Sequence, residues 1–302
     1  MITERENDLA MLARSLKVTT RRLDQRPDDM WEVDAPFYDL RQRGGHDYYF
    51  APLLKAVGVR DFKELGEMRA WAETPTDMLE LFGSGFFTAD YLDRVDSVTG
   101  VRLIDSSQEL VKQLAEDATN DDNSNQKITE DRAKAIRRIE TVTSSPKWNL
   151  VTGNIYLPQT WNTLDTQNTS RGIKEYGVIV AKPEGAFFID EIFDDDDLFG
   201  SEKKDEQRLR TYSPKFLRLL SRAYDRLSPQ HGMLFTEVPG FMARTQLDPF
   251  VNLLNEKGNV KAVTTQESDY YGDDRRNLLI VKRPNSVANL EQFAHSHFNQ
   301  AR

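Results

Sequence analysis

Residues 78–87, MLELFGSGFF, decide the fold class of this 302-residue chain. A short apolar run enters a Gly-Ser-Gly turn, and the TADYLDRV that follows it is compatible with a helix. A second apolar run, VTGVRLID, ends at Asp105. An apolar strand, a glycine turn, a helix and a second strand, in that order, predict half of a nucleotide-binding βαβ unit.

The chain beyond Thr76 alternates between apolar runs of strand length and segments with helical spacing. The predicted order is β-α-β-α-α-β-β, then a charged insertion, then α-β-α-β-β. Strands that alternate with helices favour a parallel sheet covered on both faces. The last two strands have no helix between them, so they should run antiparallel to each other. The sequence therefore predicts an α/β fold with a Rossmann-like, doubly wound, seven-stranded sheet whose last strand is reversed.

The strongest helical pattern in the chain is YSPKFLRLLSRAYDRLSPQHG, residues 212–232. Ser213 is suited to cap this helix, and Pro214 is suited to its first turn. The apolar residues recur at helical spacing and should form one buried face. The predicted face comprises Phe216, Leu219, Leu220, Ala223, Tyr224 and Leu227.

Residues 1–75 contain helical patches without clear strand alternation, and they are predicted to form a helical extension, not an independent domain. The α/β domain is expected over residues 76–284, with a charged insertion at 186–211, and a C-terminal helix is expected over 285–302. The insertion contains four consecutive aspartates, Asp194 to Asp197, a run that is typical of a solvated loop. The extension is a candidate lid, homodimer interface or docking surface for a protein partner.

The composition excludes several classes of protein. Forty basic against forty-nine acidic side chains give a net charge of -9 and a pI near 5.1. The average field repels nucleic acid, although a local basic groove could still bind it. The absence of cysteine excludes disulfides, thiolate metal sites and cysteine nucleophiles. No run approaches the roughly 18 apolar residues of a membrane span, and the polar start does not resemble a leader. We therefore expect a cytoplasmic protein without a membrane partner, and the histidine spacing predicts no metal site.

The glycine turn and the acid after the second strand have a chemical interpretation of their own. Gly83 and Gly85 let the backbone pass close to a ligand, and the next helix offers free amide groups. A carboxylate at Asp105 can accept both hydroxyls of a ribose, at the edge of the sheet where ligands bind. The alternatives are structural. A Gly-Ser-Gly sequence also makes a tight turn, and Asp105 could cap the next helix, although Ser106 already serves that purpose.

Over roughly residues 76–284 the sequence resembles the class I S-adenosylmethionine-dependent methyltransferases. MLELFGSGFF corresponds to the family's acid- and glycine-bearing turn, and Asp105 follows Gly83 at about the twenty-residue spacing of the second acid. TGNIYLP corresponds to the turn after the third strand, although Asn154 also suits an ordinary turn. Two features depart from the family pattern. Phe87 occupies the third glycine position, and Glu80 lies three residues before the first glycine, where the family usually has two.

The resemblance implies S-adenosylmethionine as the cofactor. The cofactor-binding residues that it implies are Glu80, Phe82, Gly83, Ser84, Gly85, Asp105, Ser106, Gly153 and Asn154. It also implies that AKPEG, after the fourth strand, contacts the methyl acceptor through Lys182 and Pro183, with Glu184 as a candidate general base. Tyr48 and Tyr49 are candidate lid residues. The alternatives are a proline turn with a solvated glutamate and two core aromatic residues of the extension.

The resulting hypothesis is a methyltransferase that acts on a small molecule or a protein. The net charge, and the lack of a DPPY- or NPPY-type motif after the fourth strand, argue against long nucleic acid as the acceptor. One alternative is a methyltransferase-like binding or regulatory protein without catalysis, which the incomplete glycine pattern motivates. The other is a dinucleotide-dependent oxidoreductase, whose fold also places an acid after the second strand.

Overall fold

The computed structural model describes residues 50, 53–60, 64–65, 68–69, 76–81, 92–102, 137, 140–153, 155, 157–181, 214, 216–238, 246–265 and 276–298. These ranges include a seven-stranded sheet with helical residues packed on both of its faces. No helix within them combines the length and the apolar character that crossing a bilayer requires.

The strands are β1 (Met78–Leu81), β2 (Val98–Arg102), β3 (Trp148–Thr152), β4 (Val178–Ala181), β5 (Met233–Val238), β6 (Lys261–Thr264) and β7 (Arg276–Val281). Their order across the sheet is β3-β2-β1-β4-β5-β7-β6. The first five strands pair in parallel, and β7 runs antiparallel to both β5 and β6. The predicted seven-stranded sheet with a reversed last strand is confirmed.

The strands at the centre of the sheet are buried on both faces. Every residue of β1, β4 and β5 is buried, and their sequences are the near-continuous apolar runs MLEL, VIVA and MLFTEV. A parallel sheet with two covered faces demands such runs, because neither face meets water. The few polar side chains in these strands depart from this apolar pattern, so each needs a structural or functional explanation.

Within the described part of the chain, four helices cover one face of the sheet: α1 (Pro158–Arg171), α2 (residues 216–225), α3 (Leu247–Lys257) and α4 (Leu290–Phe298). Their apolar residues join one hydrophobic cluster with the strand residues that face them, which we call the first cluster. All six predicted apolar residues of α2 and its end are buried in it, so that helix prediction is confirmed.

Helix α1 corrects the predicted order, in which the third and fourth strands followed each other directly. Strand β3 lies at the edge of the sheet and β4 at its centre, so a crossover between them is required. The sequence PQTWNTLDTQNTSR conceals this helix because threonine and asparagine are weak helix formers. Its buried apolar residues are only Trp161 and Leu164, and it ends at Gly172 in the left-handed conformation, with φ 77°.

The opposite face of the sheet is covered in part by residues from the predicted N-terminal extension. Phe50, Leu53, Leu54, Val59 and Leu65 are buried there with residues of β1, β2, β4, β5 and β7, a group that we call the second cluster. The rings of Phe50 and Phe235 lie 5.6 Å apart between centroids. The Lys261 ammonium group donates a hydrogen bond of 2.9 Å to the Ala56 carbonyl oxygen. This part of the extension is thus a layer of the α/β core.

A buried arginine joins the same segment to the amino edge of the sheet. Arg69 is only 2% exposed, and its Nη1 donates a hydrogen bond of 2.6 Å to the carbonyl oxygen of His231, which closely precedes β5. Burial lowers the pKa of the Arg69 guanidinium to about 10, and the nearby Glu175 carboxylate opposes that shift. Arg69 therefore remains charged at neutral pH and holds residues 162 positions apart in contact.

A polar network occupies the amino edge around Asp77. The hydroxyl of Ser97 donates a hydrogen bond to the Asp77 carboxylate, and Tyr176 donates one of 2.7 Å to Asn168 of α1. Burial raises the pKa of Asp77, while the hydrogen bond from Ser97 opposes the shift; Asp96 raises it further and Arg171 lowers it. The net direction is upward, so the folded state binds the proton of Asp77 more tightly than the unfolded chain does.

This shift predicts a pH-dependent gain from replacing Asp77 with asparagine. Because the folded-state pKa lies above the unfolded value, the ionised carboxylate weakens the fold as the pH rises through both values. The asparagine amide would carry no charge, and its oxygen would still accept from Ser97, so Asp77→Asn should raise the thermal midpoint at pH 7. The gain should shrink as the pH falls toward about 4, near the ordinary aspartate pKa. A gain that stays constant from pH 7 to pH 4 would contradict the assignment.

Candidate functional site

The sheet has a switch point between β1 and β4. From β1 the chain continues outward to β2 and β3, and from β4 it continues in the other direction to β5. In open α/β sheets, ligands bind in the crevice beyond the carboxyl ends of the strands at such a point. Leu81 and Ala181, the last residues of β1 and β4, are paired at this edge. The crevice should therefore open directly beyond them.

The predicted site residues follow, or lie near, the carboxyl ends of β1 to β4 in the sequence. Most of them lie outside the described residues: Phe82, Gly83, Ser84, Gly85, Asp105, Ser106, Asn154, Lys182, Pro183 and Glu184, together with the lid candidates Tyr48 and Tyr49. Glu80 and Gly153 are described. The contacts of Glu80 and Gly153 are therefore described in turn.

Glu80 is a fully buried carboxylic acid in the centre of the sheet, with 0% exposure. The pairing of β1 runs without a bulge from Met78 to Leu81, and it places Glu80 between Gly100 of β2 and Val180 of β4. Glu80 shares its face with Met78 of the second cluster. A buried carboxylate at such a position is costly for stability, which makes Glu80 a candidate for a functional role.

Gly153, directly after β3, packs tightly against the first turn of α1. A Cβ atom added to Gly153 would lie 2.5 Å from Oγ1 and 3.1 Å from Cγ2 of the buried Thr160. The backbone there also has φ 157°, which favours glycine. This packing is sufficient to require a glycine, and the predicted contact of Gly153 with a cofactor stays a prediction.

The turn between β3 and α1 is anchored by Trp161, which the sequence analysis did not single out. Its indole Nε1 donates a hydrogen bond of 2.6 Å to the Ile155 carbonyl oxygen, and its side chain is buried. The guanidinium carbon of Arg226 lies 4.6 Å from the centroid of the Trp161 ring, and Arg226 pairs with Asp165. The signal in the sequence was the helical spacing of Trp161, Leu164 and Asn168, all buried.

A second buried acid lies farther along the same edge. Glu237, the penultimate residue of β5, is 4% exposed and pairs with Asn277 of β7. Its alternation along β5 puts it on the face that carries Phe235 and Glu80. The backbone N–H of Asn277 donates a hydrogen bond of 2.9 Å to the Thr265 hydroxyl, and that of Thr265 donates one of 3.0 Å to the Asn277 carbonyl. Sequence reasoning missed Asn277 and Thr265 because the antiparallel pairing of β6 and β7 brings them here.

Glu80 and Glu237 are separated by two strand spacings, about 10 Å across the sheet. The edge therefore carries one buried acid beside the switch point and another toward the antiparallel side. Among the residues that the structure describes, no group of three or more histidine, aspartate or glutamate side chains could hold a metal ion.

Comparison with known proteins gives matches at the level of structure only. No protein-family model and no curated protein matches the chain. An rRNA methylase from Streptococcus thermophilus is 11% identical, with a TM-score of 0.34 over 69% of this chain and 87% of its own. The N-methyltransferase NodS from Bradyrhizobium japonicum WM9 is 13% identical, with a TM-score of 0.35 over 74% and 95%. The structure of NodS in complex with S-adenosyl-L-homocysteine is 11% identical, with a TM-score of 0.33 over 74% of this chain and 86% of its own.

At these identities the similarity concerns the fold, and the evidence for the fold is the sheet itself. The seven strands and the reversed β7 are the features of this sheet that the sequence pattern predicted. The chain has a Rossmann-like fold with a seven-stranded sheet and a reversed last strand.

Proposed function

We propose that this chain binds S-adenosylmethionine at the carboxyl edge of β1 to β4 and methylates a small molecule or a protein. The observation that carries the proposal is the position of Glu80. A buried acid lies in β1, beside the switch point, one residue from the carboxyl end of the strand. In this fold that is the place where a ligand is expected.

The charge and position of Glu80, and the sequence that follows β1 and β2, support this choice of cofactor. The ligand carries an α-ammonium group, and a buried carboxylate such as Glu80 is a chemically suitable partner for a cation. The segment with Gly83 and Gly85 follows β1 directly, and the segment with Asp105 follows β2. In the proposal these supply a close backbone approach and two acceptor oxygens for the ribose.

In the proposed reaction, the chain's own groups position the reactants and take up one proton. Bound S-adenosylmethionine supplies a methyl group on a positively charged sulfur. The edge of the sheet would hold the acceptor beside the cofactor, and the exclusion of water would strengthen the interactions of the buried acids. Glu184, after β4, is the proposed base that takes the proton from a hydroxyl or amine acceptor. The proposal requires no metal ion.

The first test is a calorimetric titration of the full chain with S-adenosylmethionine and S-adenosylhomocysteine. We expect micromolar binding that Asp105→Ala weakens about tenfold, which corresponds to about 1.4 kcal/mol. Asp93→Ala is the matched control, because Asp93 is an exposed acid in the same βαβ unit, and it should leave the affinity unchanged.

Failure of the folded wild-type chain to bind either ligand would overturn the proposal. It would favour the catalytically inactive binding protein, for which Phe87 at the third glycine position is the supporting observation. Binding of a nicotinamide dinucleotide in the same assay would instead favour an oxidoreductase.

The acceptor class needs its own experiment. The net charge of -9 supports a small molecule or a protein, and RNA belongs in the screen as the competing class. Transfer of a labelled methyl group to total RNA, but not to protein or metabolite fractions, would overturn the acceptor class and leave the cofactor proposal standing.

A further inference from the structure

Gly100 of β2 lies beside Glu80, and an aromatic ring takes the place of its missing side chain. A Cβ atom added to Gly100 would overlap Cη2 of the Trp148 indole and lie 2.8 Å from Cζ2 and 3.2 Å from Cζ3. Trp148 belongs to β3, where it pairs with Val98, so its ring reaches diagonally across β2. The indole thus covers the backbone next to the buried acid.

The register fixes how close this ring comes to Glu80. Gly100 and Glu80 are Cα partners in parallel strands, so their backbones are about 4.8 Å apart and their side-chain positions share one face. Val180 flanks Glu80 on the other side. The Trp148 ring, packed against the second cluster, therefore forms the apolar wall of the Glu80 environment on the β2 side.

We propose that Trp148, seated over Gly100, is a positioning residue for Glu80. The ring keeps water away from the β2 side of the carboxylate and restricts its orientation. An ion pair with a cationic ligand group is stronger in such a low-dielectric site, and a restricted side chain loses less entropy on binding. This inference rests on the proposed function, because it assigns Glu80 to the ammonium group of S-adenosylmethionine.

The binding test is a double-mutant cycle on S-adenosylmethionine affinity. Trp148→Leu should weaken binding about five- to tenfold, and the same replacement in a Glu80→Gln background should change the affinity less than about twofold. Gly100→Ala should reproduce the effect of Trp148→Leu, because the new methyl group displaces the ring. Trp148→Phe keeps an aromatic wall and should recover most of the affinity. Binding of 5′-methylthioadenosine, which lacks the ammonium group, should not respond to Trp148→Leu.

A second measurement needs no ligand. The shift in the urea midpoint caused by Glu80→Gln should differ between the wild-type and the Trp148→Leu backgrounds, since the ring sets the environment of the acid. Gly100→Ala, whose methyl group displaces the ring, provides the same comparison if Trp148→Leu does not fold.

The outcomes separate the two ideas. If the wild-type chain binds S-adenosylmethionine, and Trp148→Leu lowers the affinity equally in the wild-type and Glu80→Gln backgrounds, the positioning role is overturned. The proposed function is retained in that case. If the wild-type chain binds no S-adenosylmethionine but the urea midpoints are coupled, the proposed function is overturned, and the effect of the Trp148 ring on the environment of Glu80 is supported. The positioning role is refuted outright if the Trp148→Leu and Glu80→Gln substitutions have additive effects on both the urea midpoint and the S-adenosylmethionine affinity.

Discussion

Leu54→Ala in the full-length chain should lower the free energy of unfolding by about 2–5 kcal/mol. Leu54 is fully buried in the second cluster, so its truncation removes apolar contacts and leaves a cavity between the extension and the sheet. Urea denaturation followed by far-UV circular dichroism measures this loss. It is a large fraction of the roughly 5–15 kcal/mol that stabilises a typical domain.

Lys55→Ala is the matched control for Leu54→Ala. Lys55 is exposed in the same helical turn, and its truncation should change the stability by no more than about 0.5 kcal/mol. Equal effects of the two substitutions would show that the segment around residue 54 does not belong to the core. A large difference would mean that this segment cannot be removed as a separable lid.

Trp161→Ala should cost about 3–5 kcal/mol of stability, the range for large aromatic residues in cores. The substitution removes a side chain that is 3% exposed, together with the hydrogen bond to the Ile155 carbonyl. Arg226 would also lose the ring over which its guanidinium lies. Calorimetric or urea unfolding of the purified variant measures the cost.

Two companion variants divide the effect of Trp161→Ala. Asn162→Ala, at the exposed next position of α1, should be nearly neutral. Trp161→Phe keeps most of the volume but cannot donate to Ile155, so it isolates a hydrogen bond worth about 1 kcal/mol. A cost below about 1 kcal/mol for Trp161→Ala would indicate that α1 does not pack on the sheet as described.

The parts of the fold that could be predicted from the sequence are those with strong apolar periodicity. The buried face of α2 was predicted residue by residue, because Phe216, Leu220 and Tyr224 recur at helical spacing with few polar interruptions. Strands β4 and β5 were predicted because central parallel strands need continuous apolar runs. The reversal of β7 followed from the missing helix before it.

Helix α1 could not be predicted in the same way, because two apolar side chains in a threonine- and asparagine-rich segment give a weak periodic signal. Tertiary packing of Trp161 and the topological need for a crossover determine that helix. The environment of Glu80 was equally hidden. Its neighbours Gly100 and Trp148 come from other strands, and only the register of the sheet brings them together.

The candidate site shows the limit of the resemblance to the methyltransferases. That resemblance predicted site residues after β1 to β4, and those four strands are neighbours in the sheet with their carboxyl ends at one edge. The polar residues Asn277 and Thr265 at the far end of the same edge depend on the antiparallel pairing of β6 and β7, for which no motif exists.

The order of the strands has a consequence for the chain as it leaves the ribosome. Strand β1 can pair with β2 soon after synthesis, but its other partner, β4, is made about 100 residues later. At about 5–20 residues per second, the inner edge of β1 stays open for roughly 5–20 s. An apolar open edge of this kind can pair with other chains, so a nascent chain of this length is a candidate client for chaperones. The hydrogen bond from Arg69 to the His231 carbonyl forms later still, because His231 is synthesised 162 residues after Arg69.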